Sequence, residues 1–138
     1  MAKARLLIDT NVVLDLLYDR KPFADAAARV MEHCRQHRED AFVAAHAMTT
    51  IFYLYAKDRG VEAARVALLD LGSLVQVAPI DQVVIDKALT LPYRDFEDAV
   101  TMMAAVGVDA DYVITRNLND FKHGPLPALA PAELLQGL

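Results

Sequence analysis

Residues 6–15 read LLIDTNVVLD, and this stretch decides the fold. Its first three residues are apolar without a break, which is typical of a strand buried on both faces of a parallel sheet. Asp9 ends the run, Thr10 offers a helix cap, and apolar residues from Val12 to Leu17 follow at helical spacing. The stretch therefore predicts a strand that leads directly into a helix, with Asp9 at the junction.

The same alternation continues along the chain. Gly72 is expected to cap the fourth helix, and Asp81 and Asp95 to begin the fifth and sixth. Because strands alternate with helices, we expect a three-layer α/β/α domain with a mostly parallel sheet of four to five strands. The 138 residues fit one domain, 1–138. The further strands are predicted at 41–45, 74–77, 112–115 and 128–130, and the further helices at 22–37, 46–58, 61–71, 81–91, 95–107 and from 131.

The composition limits the function. The net charge of −5 argues against an extended, charge-driven nucleic-acid binder, although local Arg and Lys side chains can still hold RNA. Cys34 is the single cysteine, so neither an internal disulfide nor a thiolate metal site is expected. The first residues lack the apolar core of a signal peptide, and no apolar run approaches the roughly 20 residues of a membrane span. We expect a cytoplasmic protein without membrane contact.

Three aspartates are placed to share one site. Ligands of a parallel sheet bind beyond the carboxyl ends of its strands. Asp9 follows the first strand, Asp98 lies in the first turn of a helix, and Asp120 belongs to the segment TRNLNDF at 115–121. Converging carboxylates repel each other unless a cation lies between them, and all-oxygen ligation suits Mg²⁺ or Mn²⁺. Each aspartate also has a structural alternative: a helix cap for Asp9 and Asp98, and a turn for Asp120.

Three segments resemble the motifs of the PIN-domain family, in the same order and over about residues 5–122. They are DTNVVLD at 9–15, FEDA at 96–99 and TRNLNDF at 115–121. The family contains metal-dependent ribonucleases, including the VapC-like toxins of toxin–antitoxin pairs. The resemblance implies that Asp9, Asp98 and Asp120 bind a metal that activates water for in-line attack on an RNA phosphodiester. It also implies an antitoxin protein as a partner.

The resemblance gives supporting roles to further residues. Asn117 takes the acidic or amide position beside the metal ligands, and Asn11 and Thr115 orient ligands or bound water. Arg116 lies within the closing motif and is a stronger candidate for an RNA phosphate contact than Lys122.

The chain departs from the family pattern at the second acid. That acid is usually a glutamate at the start of the helix after the second strand, whereas this chain reads AMTTI at 47–51, with Thr50 at the matching position. A hydroxyl can bind a water molecule but supplies no charge, so we expect a weak metal site. Asp95 and Glu97 are expected to compensate in part, because Asp95 shares a helix face with Asp98.

Two functions remain open from the sequence. The first is a metal-dependent endoribonuclease acting as the toxin of a toxin–antitoxin pair, and the second is a catalytically weak or inactive PIN-type module that binds RNA or a protein. A receiver-like signalling domain is disfavoured, because the third strand leads to Ala78-Pro79-Ile80 and not to a phospho-accepting aspartate.

The helix predicted at 46–58 contains IFYLY at 51–55, which is apolar around most of a helical turn. Aromatic residues are enriched in protein interfaces, so we predict that this helix contributes to a homodimer. The alternative is that neighbouring helices cover the rings of Phe52, Tyr53 and Tyr55.

Overall fold

The computed structural model describes residues 4–138 and contains a five-stranded sheet in the order β3-β2-β1-β4-β5. All four strand pairs are parallel, which confirms the predicted α/β class with a parallel central sheet. Residues 1–3, which form part of the segment where no signal peptide was expected, lie outside the described residues. The strands are β1 (Leu6–Ile8), β2 (Ala41–Ala44), β3 (Gln76–Ala78), β4 (Tyr112–Ile114) and β5 (Ala128–Leu129).

Helices cover both faces of the sheet. Because side chains alternate along a strand, Leu6 and Ile8 pack against one helical layer while Leu7 and Phe42 pack against the other. The first layer contains α1 to α4 and α7, and the second contains α5 and α6. Within residues 4–138, no helix has the length and apolar character needed to cross a membrane. The helices are α1 (Thr10–Leu17), α2 (Ala24–Gln36), α3 (Ala45–Arg59), α4 (Val61–Leu74), α5 (Gln82–Ala88), α6 (Phe96–Gly107) and α7 (Pro131–Gln136).

Several predicted boundaries are wrong. Gly72 does not end α4, which continues to Leu74 because Leu71 and Leu74 both pack on the core. That burial outweighs the cost of about 1 kcal/mol for a glycine inside a helix. As a result, β3 begins at Gln76 and not at residue 74. The cap of α1 is also shifted by one residue, since Asp9 and not Thr10 is its N-cap.

Candidate active site

Asp9 is held at the end of β1, beside the end of β4. Its backbone N–H donates to the carbonyl oxygen of Ile114 at 2.9 Å. Its carboxylate accepts hydrogen bonds from the backbone N–H of Thr10 and from the Thr115 hydroxyl, both at 2.8 Å. Only 8% of Asp9 is exposed, and this burial raises the pKa of its carboxyl group even though both hydrogen bonds act to lower it.

Asn11 and Thr115 fix the orientation of the Asp9 carboxylate. The Asn11 amide donates to Oδ2 of Asp9 and to the Thr115 hydroxyl, each at 3.3 Å. The Thr115 hydroxyl also accepts a hydrogen bond of 3.0 Å from the backbone N–H of Asn117. The motifs after β1 and β4 are therefore joined directly, although Asn117 contributes its backbone and is itself exposed.

Asp95 caps α6 and leaves Asp98 available for another role. One oxygen of Asp95 accepts hydrogen bonds from the backbone N–H groups of Glu97 and Asp98, at 2.8 and 3.4 Å. Burial raises the pKa of Asp98 to about 7, and the negative charges of Asp95, Asp9, Asp120 and Glu97 add to this shift. The three aspartates of the motifs therefore influence one another at the same edge of the sheet.

A pocket of about 290 Å³ lies between the start of α6 and the segment after β4. Asp98 and Asp120 line it, and the negative charge of Asp120 also raises the pKa of the nearby Asp9. The pocket wall includes the basic side chains of Arg94 and Lys122. A pocket lined by both carboxylates and basic side chains suits a cation together with phosphate groups.

The carboxylates of Asp9, Asp98 and Asp120 have the chemistry that a hydrated divalent cation requires. Within residues 4–138, no three acidic, histidine or cysteine side chains converge closely enough to ligate one ion together. Mg²⁺ usually keeps several waters and is held through one or two carboxylates, so three direct ligands are not required. The charges that raise the pKa of Asp98 are all negative, so these carboxylates repel one another. The aspartates therefore fit a cation held partly through water.

The Thr50 hydroxyl is turned back onto its own helix. It donates to the backbone carbonyl oxygen of His46 at 3.2 Å. Thr50 consequently supplies no charge to the site. Glu97 is exposed and acts on Asp98 through its charge.

The Arg116 side chain is engaged by a buried carboxylate, and its proposed contact with an RNA phosphate stays a prediction. Its guanidinium group binds both oxygens of Asp15, at 2.6 and 3.1 Å, and lies 4.0 Å from the centre of the Phe23 ring. Asp15 is 1% exposed, so it needs a cationic partner, and Arg116 meets that need. Lys122, which the sequence ranked lower, lines the pocket beside Asp98.

Two residues near the pocket were not predicted from the sequence. Tyr93 donates a hydrogen bond of 3.1 Å to the carbonyl oxygen of Phe121, and so links the approach to α6 with the segment after β4. His46 follows β2 by two residues and lies near enough to Asp9 to act electrostatically on its carboxyl group. The signal for His46 is its place just beyond the carboxyl end of β2, where sites of parallel sheets lie.

A model of a known protein family matches most of the chain. The model for the PIN domain matches residues 5–119. The chain belongs to the PIN-domain family. None of the curated proteins is similar enough in sequence to match it.

Solved structures resemble this PIN domain along most of its length. A toxin–antitoxin complex from Klebsiella pneumoniae contains a chain with 20% identity and a TM-score of 0.70, with 91% of this chain and 97% of that chain covered. VapBC2 from Rickettsia felis, bound to a DNA fragment from its promoter, has 14% identity and a TM-score of 0.68 over 91% and 98% of the two chains. VapC20 of Mycobacterium tuberculosis, described as a toxin that cleaves the sarcin–ricin loop, has 15% identity and a TM-score of 0.62 over 78% and 86%. At these identities the similarity shows the shared fold.

Proposed function

We propose that this PIN domain is a metal-dependent endoribonuclease and the toxin of a toxin–antitoxin pair. The observation that carries the proposal is the electrostatic coupling of Asp9, Asp98 and Asp120 at one edge of the sheet, where the pKa of Asp98 rises to about 7. Proteins rarely keep such unbalanced carboxylates for stability alone, and perturbed groups of this kind cluster at functional sites.

Each residue of the site has a distinct role in this proposal. Asp9 holds the cation through a carboxylate that Asn11 and Thr115 keep in a fixed orientation. Asp98 and Asp120 line the pocket and would hold the cation together with Asp9, partly through water. The Mg²⁺ or Mn²⁺ ion supplies activation of water for in-line attack and offsets charge on the phosphate.

Two basic residues of the pocket wall are proposed to hold RNA despite the acidic net charge of the protein. The net charge of −5 repels a polyanion at long range, so binding depends on local cations. Arg94 and Lys122 provide them at the pocket wall, within reach of phosphates that flank the scissile bond.

The test is cleavage of RNA by the purified protein with and without Mn²⁺ or Mg²⁺. We expect metal-dependent cleavage that Asp9→Asn reduces roughly 100-fold or more, the usual scale for loss of a group that acts in the transition state. Asp70→Asn is the matched control, because Asp70 lies on α4, away from the pocket. Cleavage that survives Asp9→Asn, or that needs no divalent ion, would contradict the proposal.

The proposed toxin function also requires a protein partner, the antitoxin. The similar solved structures include toxin–antitoxin complexes, and an antitoxin is the partner proposed for this chain. Expression of the chain alone should arrest growth, and expression of the neighbouring reading frame should relieve the arrest. An unaffected culture that makes active nuclease would contradict the toxin assignment and leave the nuclease assignment intact.

A second candidate is a catalytically weak module that binds RNA or protein. Thr50 favours it, because the hydroxyl is bonded to the helix backbone and brings no charge. RNA binding without cleavage at saturating metal would select this function.

A self-association surface on α3 is also proposed. Tyr53 is 65% exposed, whereas Phe52 and Tyr55 are half-buried. Tyr55 packs on Tyr18, with the ring centres 5.5 Å apart. The chain therefore leaves Tyr53 uncovered, and a second copy is the proposed cover.

A further inference from the structure

His46 lies at the sheet edge that carries the aspartates. It belongs to the first turn of α3, directly after β2, and β2 is the neighbour of β1, which ends at Asp9. The ring reaches across to α6, where Nε2 lies 3.2 Å from both the carbonyl oxygen of Glu97 and the hydroxyl of Thr101. His46 thus lies on the helix that should carry the family's second acid and packs against the helix that carries Asp98.

These contacts determine which ring nitrogen carries the proton. A carbonyl oxygen only accepts hydrogen bonds, so Nε2 of His46 must donate to Glu97. The Thr101 hydroxyl donates its own hydrogen to the same carbonyl oxygen, at 2.9 Å, and is therefore also an acceptor toward Nε2. In the neutral ring, Nδ1 then carries a free lone pair.

Nδ1 of His46 is buried and has no hydrogen-bond partner within the described part of the chain. A buried acceptor without a partner costs free energy, so such atoms usually indicate a missing water, ion or ligand. Histidines that bind metals typically donate their other N–H to a backbone carbonyl or carboxylate, which fixes the tautomer and the ring orientation. His46 has that arrangement, with the Glu97 carbonyl as the outer partner.

We propose that His46 binds the divalent cation through Nδ1 and supplies the donor that Thr50 does not. This inference rests on the proposed nuclease function and specifies its metal site. An imidazole nitrogen is a poor ligand for Mg²⁺, whereas first-row transition ions accept it more readily. The site should therefore prefer Mn²⁺ over Mg²⁺.

Pulsed electron paramagnetic resonance of the Mn²⁺-loaded protein tests the ligand directly, since a coordinated imidazole produces ¹⁴N coupling at the metal. Calorimetric titration with Mn²⁺ and with Mg²⁺ gives the two affinities. We expect ¹⁴N coupling in the wild type and Mn²⁺ binding that is tighter than Mg²⁺ binding.

Two substitutions test the roles of the two ring nitrogens of His46 one at a time. In His46→Gln, the amide can reach the Nε2 position and keep the bond to Glu97, but nothing replaces Nδ1. In His46→Asn, the shorter amide can place an oxygen near the Nδ1 position, but the bond from Nε2 is lost. We expect His46→Gln to abolish the ¹⁴N coupling and weaken Mn²⁺ binding roughly tenfold or more, the lower bound for groups that set metal affinity. His46→Asn should abolish the coupling and keep more of the Mg²⁺ affinity.

His33→Gln is the matched control, because His33 lies near the end of α2 and should leave both readouts unchanged. Thermal unfolding with chelator present identifies any variant that fails to fold. In that case the presence or absence of ¹⁴N coupling in the wild-type spectrum still decides whether a histidine binds the metal. Oxygen-only coordination in the wild type would overturn the inference. So would ¹⁴N coupling that persists in His46→Gln, which would point to another ligand such as the pocket residue His123.

The same titrations separate this inference from the proposed function. If Asp9→Asn abolishes cation binding but His46→Gln changes nothing, only the role of His46 fails. If the wild type binds neither ion, or if Asp9→Asn binds both normally, the proposed function fails as well.

Discussion

At the scale of single residues, Asp98 shows how a functional carboxyl group opposes folding. Its pKa is about 7 in the folded protein against an ordinary value of 3.8. Between about pH 4 and 7 the folded state therefore binds more protons than the unfolded state, so stability falls as the pH rises through this window. Asp98→Asn should raise the melting temperature by a few degrees at pH 8 with chelator present.

The pH dependence is the control for this prediction. Below pH 4 both states of the wild type carry a protonated carboxyl group, and the melting temperatures of the two proteins should converge. If the melting temperatures of the wild type and Asp98→Asn differ equally at both pH values, charge repulsion is not the cause of the stabilisation.

Asp15 is a buried charge whose partner is part of the closing motif. It is 1% exposed, and its oxygens bind the guanidinium group of Arg116, with Arg20 at 3.6 Å. Asp15→Ala leaves Arg116 without its partner and should lower the free energy of unfolding by about 3 kcal/mol. Urea unfolding measures this loss, and a midpoint as little changed as that of Glu32→Gln would contradict it. Glu32 forms an exposed pair with Arg35, so its substitution should leave the midpoint nearly unchanged.

At the scale of elements, Tyr93 ties the approach to α6 to the segment after β4, and Gly124 makes room for it. A Cβ atom at Gly124 would lie 2.1 Å from the Tyr93 hydroxyl oxygen and 2.7 Å from a Met102 methyl group. Gly124→Ala must therefore displace Tyr93 and break its bond to Phe121. We expect a loss of about 1–3 kcal/mol in the free energy of unfolding.

Substitution of Gly72 by alanine is expected to have the opposite effect on stability to substitution of Gly124. It lies inside α4, and no atom is within 4 Å of the position of its missing Cβ. Gly72→Ala should stabilise the protein by about 0.5–1 kcal/mol, because alanine loses less backbone entropy in a helix. Denaturant unfolding compares both variants, and equal effects at the two glycines would contradict the explanation by close packing.

At the scale of the whole molecule, the exposed Tyr53 predicts a homodimer. Sedimentation over a range of concentrations should show reversible association, and Tyr53→Glu should weaken it tenfold or more, about 1.4 kcal/mol. Leu89→Asn is the control, because Leu89 is 68% exposed but follows α5 on the opposite face of the sheet. A wild-type monomer at high concentration would contradict the prediction.

The sequence by itself determined the alternation of strands and helices, because short apolar runs, caps and helical periodicity are local properties. It also placed Asp9 and the 115–121 segment at strand ends, since the order of elements along the chain is enough for that. The boundary at Gly72 was wrong, because the packing of Leu71 and Leu74 on distant residues outweighs a local preference.

The ion-pair and hydrogen-bond partners of the charged and titratable groups are set by the tertiary structure alone. Arg116 and Asp15 are 101 residues apart in the chain, and His46 and Thr101 are 55 apart, so no local pattern pairs them. The sheet order places β1 between β2 and β4, and this brings His46, Asp9 and Thr115 to the same edge. Burial there raises the pKa of Asp9 and Asp98, and desolvation of this kind depends on the surrounding layers rather than on the residues themselves.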